Sequence, residues 1–452
     1  MTGGGQGFRN KETNMKRIAL AGIAALTLAI AACGGSSGSS SAPPSGSPTG
    51  TVTIQWWHAQ TPPLDKVMQQ LANSFNASHP HIVVQASSGG TSTGDLLPKV
   101  TTALAAGTAP DVAYIYGSYA ANIAQSGKTV NLKNIIHTPG YNWNDLYPAS
   151  QQIVSPGGKV IGFPALIDNL SVIYNKKLFA EAGVPAPSPN WTWDQFRAIA
   201  KKLTNPAKHI YGVNYPIGGD TLDTSWRFFP GLWQRGGQIL SPDHKKALFN
   251  SPAGVSNLTL WQQMATVDHS VYLDPTASKA EPLFTSGHLA MFVSGPWEVP
   301  VLNQAKVDWA DVPLPAVTTN HQTVSGPDNW VIFNNGPAHV QAAITFLEWL
   351  TAPKQELAWS IGSGSLPIRP SILKLPGYQD YLKKWPGIGP MAANLVNAKE
   401  AMPTLPQWPR VVNALGNGIA SVLLGRAAPA AALNQAAQQA DTILNVPGAA
   451  GG

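Results

Sequence analysis

Two hydrophobic rhythms alternate along the first third of this chain. Val52-Thr53-Ile54-Gln55-Trp56 switches between apolar and polar positions, which predicts a strand. From Val67 the apolar positions recur at Leu71 and Phe75, a single helical stripe. Ile82-Val83-Val84 predicts a second strand, and Leu96, Val100 and Leu104 predict a helix that stops at Gly107. Val112 to Tyr116 reads as a third strand, and Ala120 to Gln125 begins another helix. Strands separated by helices of about 10–15 residues predict βαβ units and a parallel sheet.

The later chain mixes helices with loops rich in proline and aromatic residues. Helices are predicted over Trp193–Leu203, Gly254–Val267, Val340–Leu350 and Lys354–Ile361, the last two split by Pro353. Val411–Leu424 and Pro429–Leu444 close the series, with Pro429 in a first turn where its missing N–H costs nothing. Trp330-Val331-Ile332-Phe333 is a late strand pattern, which suggests an α/β architecture whose later segments return to an earlier sheet. The span from Thr51 to about Pro447 is long enough for two or more domains, and it shows no internal repeat.

The N-terminus has a different character. Lys16-Arg17 precede a run of apolar or small residues from Ile18 to Ala32, shorter than the roughly 20 a spanning helix needs. This is the pattern of a secretory signal, so residues 1–32 are expected to be removed. Met15 is the better expected start, because Met1 to Asn14 has no signal character. Ile30-Ala31-Ala32-Cys33 resembles the lipobox of bacterial lipoproteins. That resemblance implies cleavage before Cys33 and lipidation of its thiol. Cys33 is the chain's single cysteine, so no internal disulfide can form. Gly34 to Gly50 is a spacer of Gly, Ser and Pro, expected to be disordered and to reach about 20–25 Å. Residues 33–50 thus read as a tether at the extracytoplasmic face of the bacterial cell membrane.

Charge narrows the function. Of the formal +6, residues 1–32 carry +3 (Arg9, Lys11, Lys16 and Arg17 against Glu12), which leaves +3 for the rest. Lys and Arg never cluster beyond a pair, so nucleic acid is not an expected partner. Charged residues make up only 12% while tryptophan is abundant at 15, enough to fill a core and still line a concave site. There is no H-E-x-x-H, no G-x-S-x-G and no phosphate-binding glycine loop. His79-Pro80-His81 is a poor metal pair, so neither metal nor cofactor is expected. An extracellular glycoside hydrolase would need two carboxylates about 5–10 Å apart across a cleft. Asp168, Asp220, Asp223 and Glu298 could supply them by number, but nothing in their spacing supports a pair, and no catalytic residue is assigned.

Six stretches then line up in order: ALAAGTAPDVAYIY (103–116), LSVIYNKKLFAEAG (170–183), WTWDQFRAIAKKLT (191–204), FPGLWQRGGQIL (229–240), FTSGHLAMFVSGPWEV (284–299) and GSLPIRPS (364–371). Together they resemble the extracellular solute-binding proteins of carbohydrate ABC importers, the maltose-binding type. The chain departs from the pattern at Leu166, where a small or polar residue is expected. The resemblance implies a type II periplasmic-binding-protein-like fold, with two hinged α/β lobes and several crossovers. Residues 51–163 plus 311–361 would form one lobe, and 166–306 plus 364–452 the other. It also implies a monomer that captures a sugar or oligosaccharide between the lobes and delivers it to permease subunits and their ATPase. Glycerol-3-phosphate or glycerophosphodiester binders of the same superfamily are the alternative.

A sugar packs its C–H faces on aromatic rings and its hydroxyls on polar groups. Trp56-Trp57-His58 ends the first strand, where alternation sends one tryptophan to the core, leaving Trp57 for the ligand and His58 in a loop. Tyr116 and Ser118 follow the third strand, while Asp111 before it reads as structural. Asp168 and Asn169 precede Tyr174 and Asn175, themselves read as structural. Trp226 follows a loop of Asp220, Asp223 and Ser225, and Trp233 reads as packing. In Gly295-Pro296-Trp297 a fixed turn points Trp297, with Glu298 beside it as an acceptor for hydroxyls or as a solvated side chain. Asn329 is the polar candidate of the 326–329 loop. Arg369 and Arg410 complete the set. Arg410 falls where the resemblance places a phosphate-binding arginine, whose fork suits that anion, although Gly117 stands where that subgroup has an acid.

Overall fold

The computed structural model describes residues 50–446 apart from 61, 63, 90–94, 137–140 and 219–220. The expected leader, Cys33 and the spacer up to residue 49 lie outside the described residues. The early rhythm produces β1 (Val52–His58), β2 (Ile82–Ser88) and β3 (Val112–Tyr116), followed by β4 (Gly162–Leu166). β1 pairs in parallel with both β2 and β3. Helices 65–78 and 96–106 connect them, and the second ends at Gly107, whose φ of 72° is the left-handed turn glycine adopts freely.

The chain then builds a second system: β5 (Ser171–Asn175), β6 (Val213–Pro216), β7 (Val271–Asp274), β8 (Met291–Ser294) and β9 (Trp309–Pro313). β5 lies between β8 and β9, antiparallel to both, and β6 runs parallel to β7. β10 (Val324–Ser325) and β12 (Glu400–Ala401) form a short parallel pair around β11 (Asp328–Ile332) in sequence. β11 returns to the first sheet, antiparallel between β3 and β4. That return, expected near residue 311, comes at Asp328, because the 309–313 segment first completes the free edge of β5.

Large rings fix each half. Trp56 stands edge-on to Trp330 at 5.1 Å and to Phe346 at 4.9 Å, joining β1, β11 and helix 337–350. Burying such a ring removes about 150–250 Å² from water, worth up to about 4–6 kcal/mol at 25 cal/mol/Å². In the other half Trp193, Phe196, Tyr215 and Trp261 interlock with centroids 4.7–6.1 Å apart. Helix 193–203 starts there with a Thr192–Gln195 capping box. Helix 408–423 packs on 429–444 and 221–226 in the same half.

Crossing segments 167–170, 323–327 and 363–367 are laced where the halves meet. Ile167 bridges Leu366, Asn169 bridges Ser325, and the Gly326 N–H donates to the Asp168 carbonyl at 3.3 Å. Among the described residues no helix is long and apolar enough to cross a membrane.

Candidate functional site

The laced segments border a cavity of about 1010 Å³. The first half contributes Tyr114, Tyr116, Ser118 and Asp328. The second contributes Asn214, Trp226, Trp297 and Glu298, and the crossing segments contribute Asp168, Ser325 and Gly326. Most come from a strand end or the turn beyond it, where α/β sheets present ligand groups, while Tyr114 and Asn214 lie within their strands and Trp226 ends helix 221–226.

The aromatic wall is a pair. Trp226, at the end of helix 221–226, stacks on Trp297 at 5.7 Å with 28° between the planes. Trp297 donates its Nε1–H to Glu298 Oε1 at 3.0 Å, and Ser294 Oγ donates to the same oxygen at 2.7 Å. Two glycines make room. A Cβ at Gly295 would stand 2.2 Å from the Trp297 ring, and one at Gly326 would stand 2.4 Å from Asp168 Oδ1 and 2.9 Å from the Trp226 ring.

The polar wall is acidic. Tyr114 donates its hydroxyl to Asp328 Oδ2, and the Gly117 N–H donates to Oδ1 at 3.0 Å. Burial lifts Asp328 to about 7 despite these two bonds. It lifts Asp168 well above the carboxylate range too, helped by the charge of Asp328. Glu298 rises to about 7, also through burial. Asp95, Asp223, Asp274 and Glu281 line the cavity as well, against one cation among the described residues, Arg227. Arg227 is engaged, donating to Val293 O at 3.0 Å and to the Asp223 carboxylate. Five buried polar atoms on residues that line the cavity have no protein hydrogen-bond partner: Ser118 Oγ, Asp168 Oδ1, Asn214 Oδ1, Trp226 Nε1 and Ser325 Oγ. Leaving such atoms unpaired costs free energy, so they are a ready set for a polyhydroxylated ligand.

Of the twelve residues singled out from sequence, the structure brings Tyr116, Ser118, Asp168, Trp226, Trp297 and Glu298 to this cavity. Gly295 sits behind Trp297, as the close approach of its backbone shows. The other five are elsewhere. Trp57 points to the sheet face opposite Trp56, half-buried beneath Lys99 Nζ at 4.3 Å. Asn169 is fully buried, donating to Met391 O at 2.9 Å and accepting from Asn394 at 3.0 Å, so it ties the crossing segment in place. Asn329 is the strand neighbour of Asp328 and therefore faces away from it, towards Ile153 O. Arg369 is buried over Tyr141, 4.7 Å from the ring centroid, and donates to Asn142 O at 2.7 Å and to Thr351 O at 3.3 Å. Arg410 is exposed on helix 408–423, in a shallow groove that shares Asn413 with the cavity but is not part of the cavity lining.

Asp111 accepts from Gln55 N at 2.7 Å and from Asn335 at 3.0 Å, Asn175 caps the helix starting at Lys176, and Trp233 is buried. His58 is buried rather than in a loop, and that burial lowers it to about 4. Residues 219–220, including the loop's Asp220, lie outside the described residues. Tyr114, Asp328, Asn214 and Ser325 were not singled out from sequence. The signal for Asp328 was its place one residue from Asn329 at a strand end, where the choice between neighbours depends on the pleat. Among the described residues no group of three or more His, Cys, Asp or Glu is placed to hold a metal ion.

Residues 70–387 match the family model of bacterial extracellular solute-binding proteins, and the chain belongs to that family. The family is made of substrate-binding transport proteins. A lipoprotein of Streptomyces antibioticus is 27% identical over 87% of this chain and 85% of its own length. The cyclic alpha-maltosyl-1,6-maltose binding protein of Arthrobacter globiformis is 25% identical, with a TM-score of 0.73 over 87% of this chain and 99% of that one. UgpB of Mycobacterium tuberculosis, solved with glycerophosphocholine, shares the fold at a TM-score of 0.78 and 19% identity, over 88% and 99% of the two chains. These are two-lobed solute-binding proteins, and the two sheet systems joined at the crossing segments give this chain the same architecture.

Proposed function

We propose that this protein is the lipid-anchored substrate-binding component of an ABC importer and that its solute is a saccharide of two or more rings. The observation that carries the reading is the Trp226–Trp297 stack beside unpaired Ser118, Asp168, Asn214 and Ser325 atoms in one cavity. That surface matches a sugar's alternation of C–H faces and hydroxyls. A cavity of about 1010 Å³ is at the top of the usual 300–1,000 Å³ range, more than a single ring needs. The saccharide named for the Arthrobacter relative supports the same class.

Work is done by differential binding. Groups from both halves and the hinge converge on one volume, so closing the halves adds contacts that the open form lacks. The closed monomer then presents itself to permease subunits, and no chemical step on the solute is required. The lobes are proposed to divide at the crossing segments, with Cys33 holding the chain at the outer membrane face. A phosphodiester ligand fits less well. Its charge would meet the acidic wall, Arg227 is already paired, and Arg410 is outside the cavity.

The test is a thermal-shift and tryptophan-fluorescence panel on the full chain. It would span maltose- and xylose-type oligomers, monosaccharides, glycerol 3-phosphate and glycerophosphocholine. A ligand at a hundred times its Kd stabilises by about 2.7 kcal/mol. A micromolar oligosaccharide hit supports the reading, and a response confined to phosphates refutes it.

A further inference from the structure

We infer that the solute carries a cationic nitrogen, as an amino sugar does, and that this nitrogen seats at the Asp168–Asp328 pair. The inference rests on the saccharide reading and narrows it. Asp168 is 8% exposed and Asp328 6%, both border the cavity, and the two sense each other's charge. Their hydrogen bonding is unequal. Asp328 has the Tyr114 hydroxyl and the Gly117 N–H, whereas Asp168 has the Gly326 backbone N–H beside its carboxyl and its Oδ1 makes no hydrogen bond.

Among the described residues no free cation lines the cavity to answer this pair. Arg227 is the single basic residue among the described lining residues, and Asp223 and the Val293 carbonyl hold it. Two buried carboxyls in one cavity that sense each other's charge cannot both ionise cheaply. A sugar hydroxyl brings one donor and no charge, so one carboxyl must keep a proton. An ammonium brings three donors and the missing charge, answering Asp168 Oδ1 and the repulsion together.

Calorimetric titration of the full chain with matched pairs tests this. Glucosamine trimer is set against cellotriose, and an aminodeoxymaltose against maltose, so that ammonium replaces hydroxyl on all three rings of the first pair and at one position in the second. The expected result is at least about tenfold tighter binding of one aminated member, with the preference lost in Asp168→Asn. Differential scanning calorimetry shows whether that variant is folded, and Ser118→Ala, which keeps both carboxyls, should weaken the aminated and plain members alike. Plain sugars binding as well as their aminated partners, or better, would overturn this inference and leave the saccharide reading intact. No binding by any member would overturn both.

Discussion

Gly326→Ala probes the cavity at its most constrained point. The added Cβ would lie 2.4 Å from Asp168 Oδ1 and 2.9 Å from the Trp226 ring, both inside normal contact. Neither neighbour yields easily: Asp168 is buried, and Trp226 is stacked on Trp297. Gly326 has no positive φ, so alanine brings a space problem without backbone strain. Overpacking of this kind costs about 1–3 kcal/mol. Where the displaced groups are the ligand's own contacts, that cost appears in binding, about 5- to 150-fold in Kd at 1.4 kcal/mol per decade. Titration with the tightest oligosaccharide of the panel measures it, alongside scanning calorimetry of the free variant. Wild-type affinity in a folded Gly326→Ala protein would refute the placement of Asp168 and Trp226 at the ligand.

Three further outcomes are expected. Trp297→Ala should weaken the same oligosaccharide about tenfold or more, the scale of a lost aromatic contact and its buried area, and an unchanged Kd would remove Trp297 from the site. Arg410→Ala should leave oligosaccharide affinity unchanged, because Arg410 lies outside the cavity; a large loss would return the outer groove to consideration. Burial raises Asp328 and Glu298 to about 7 and Glu356 to about 8, so the folded chain keeps protons that the unfolded chain releases. Their contribution is full below about pH 4 and is lost as pH rises through 7–8. Asp268, held low by Arg197, acts oppositely only towards acid pH, and His58, lowered to about 4 by burial, acts oppositely below about 6.5, one group against the three carboxyls. Tm of the free protein should therefore be higher at pH 5 than at pH 8, with the gap narrowed by Glu356→Gln; a higher Tm at pH 8 would contradict these assignments.

The elements were legible because their periodicity is strong. Val112–Tyr116, Trp193–Leu203 and Pro429–Leu444 carry the expected bounds, and Pro353 opens its helix where a proline suits the first turn. The late Trp330 pattern does rejoin the first sheet, although its start depended on β9 taking the edge of β5, a tertiary choice invisible to local pattern. The site was partly legible. Trp297 follows a turn fixed by Gly and Pro, and Asp168 lies in a loop between strands, so local chemistry pointed to both. Three of the misses share one cause. Trp57 against Trp56, Asn329 against Asp328 and Asn169 against Asp168 are neighbours in sequence that extended backbone sends to opposite sides, and pairing alone decides which side is the cavity. Arg369 and Glu356 show the other limit, since composition does not distinguish a charge kept for a ligand from one buried for the fold.

The central claim is that this cavity holds a saccharide rather than a phosphodiester. Isothermal titration of the full chain with oligosaccharides, plain and aminated, against glycerophosphocholine tests it most directly. The account predicts one-to-one saturable binding of an oligosaccharide, weakened by Trp297→Ala, and none of glycerophosphocholine. Saturation by glycerophosphocholine with silence from every saccharide would contradict it.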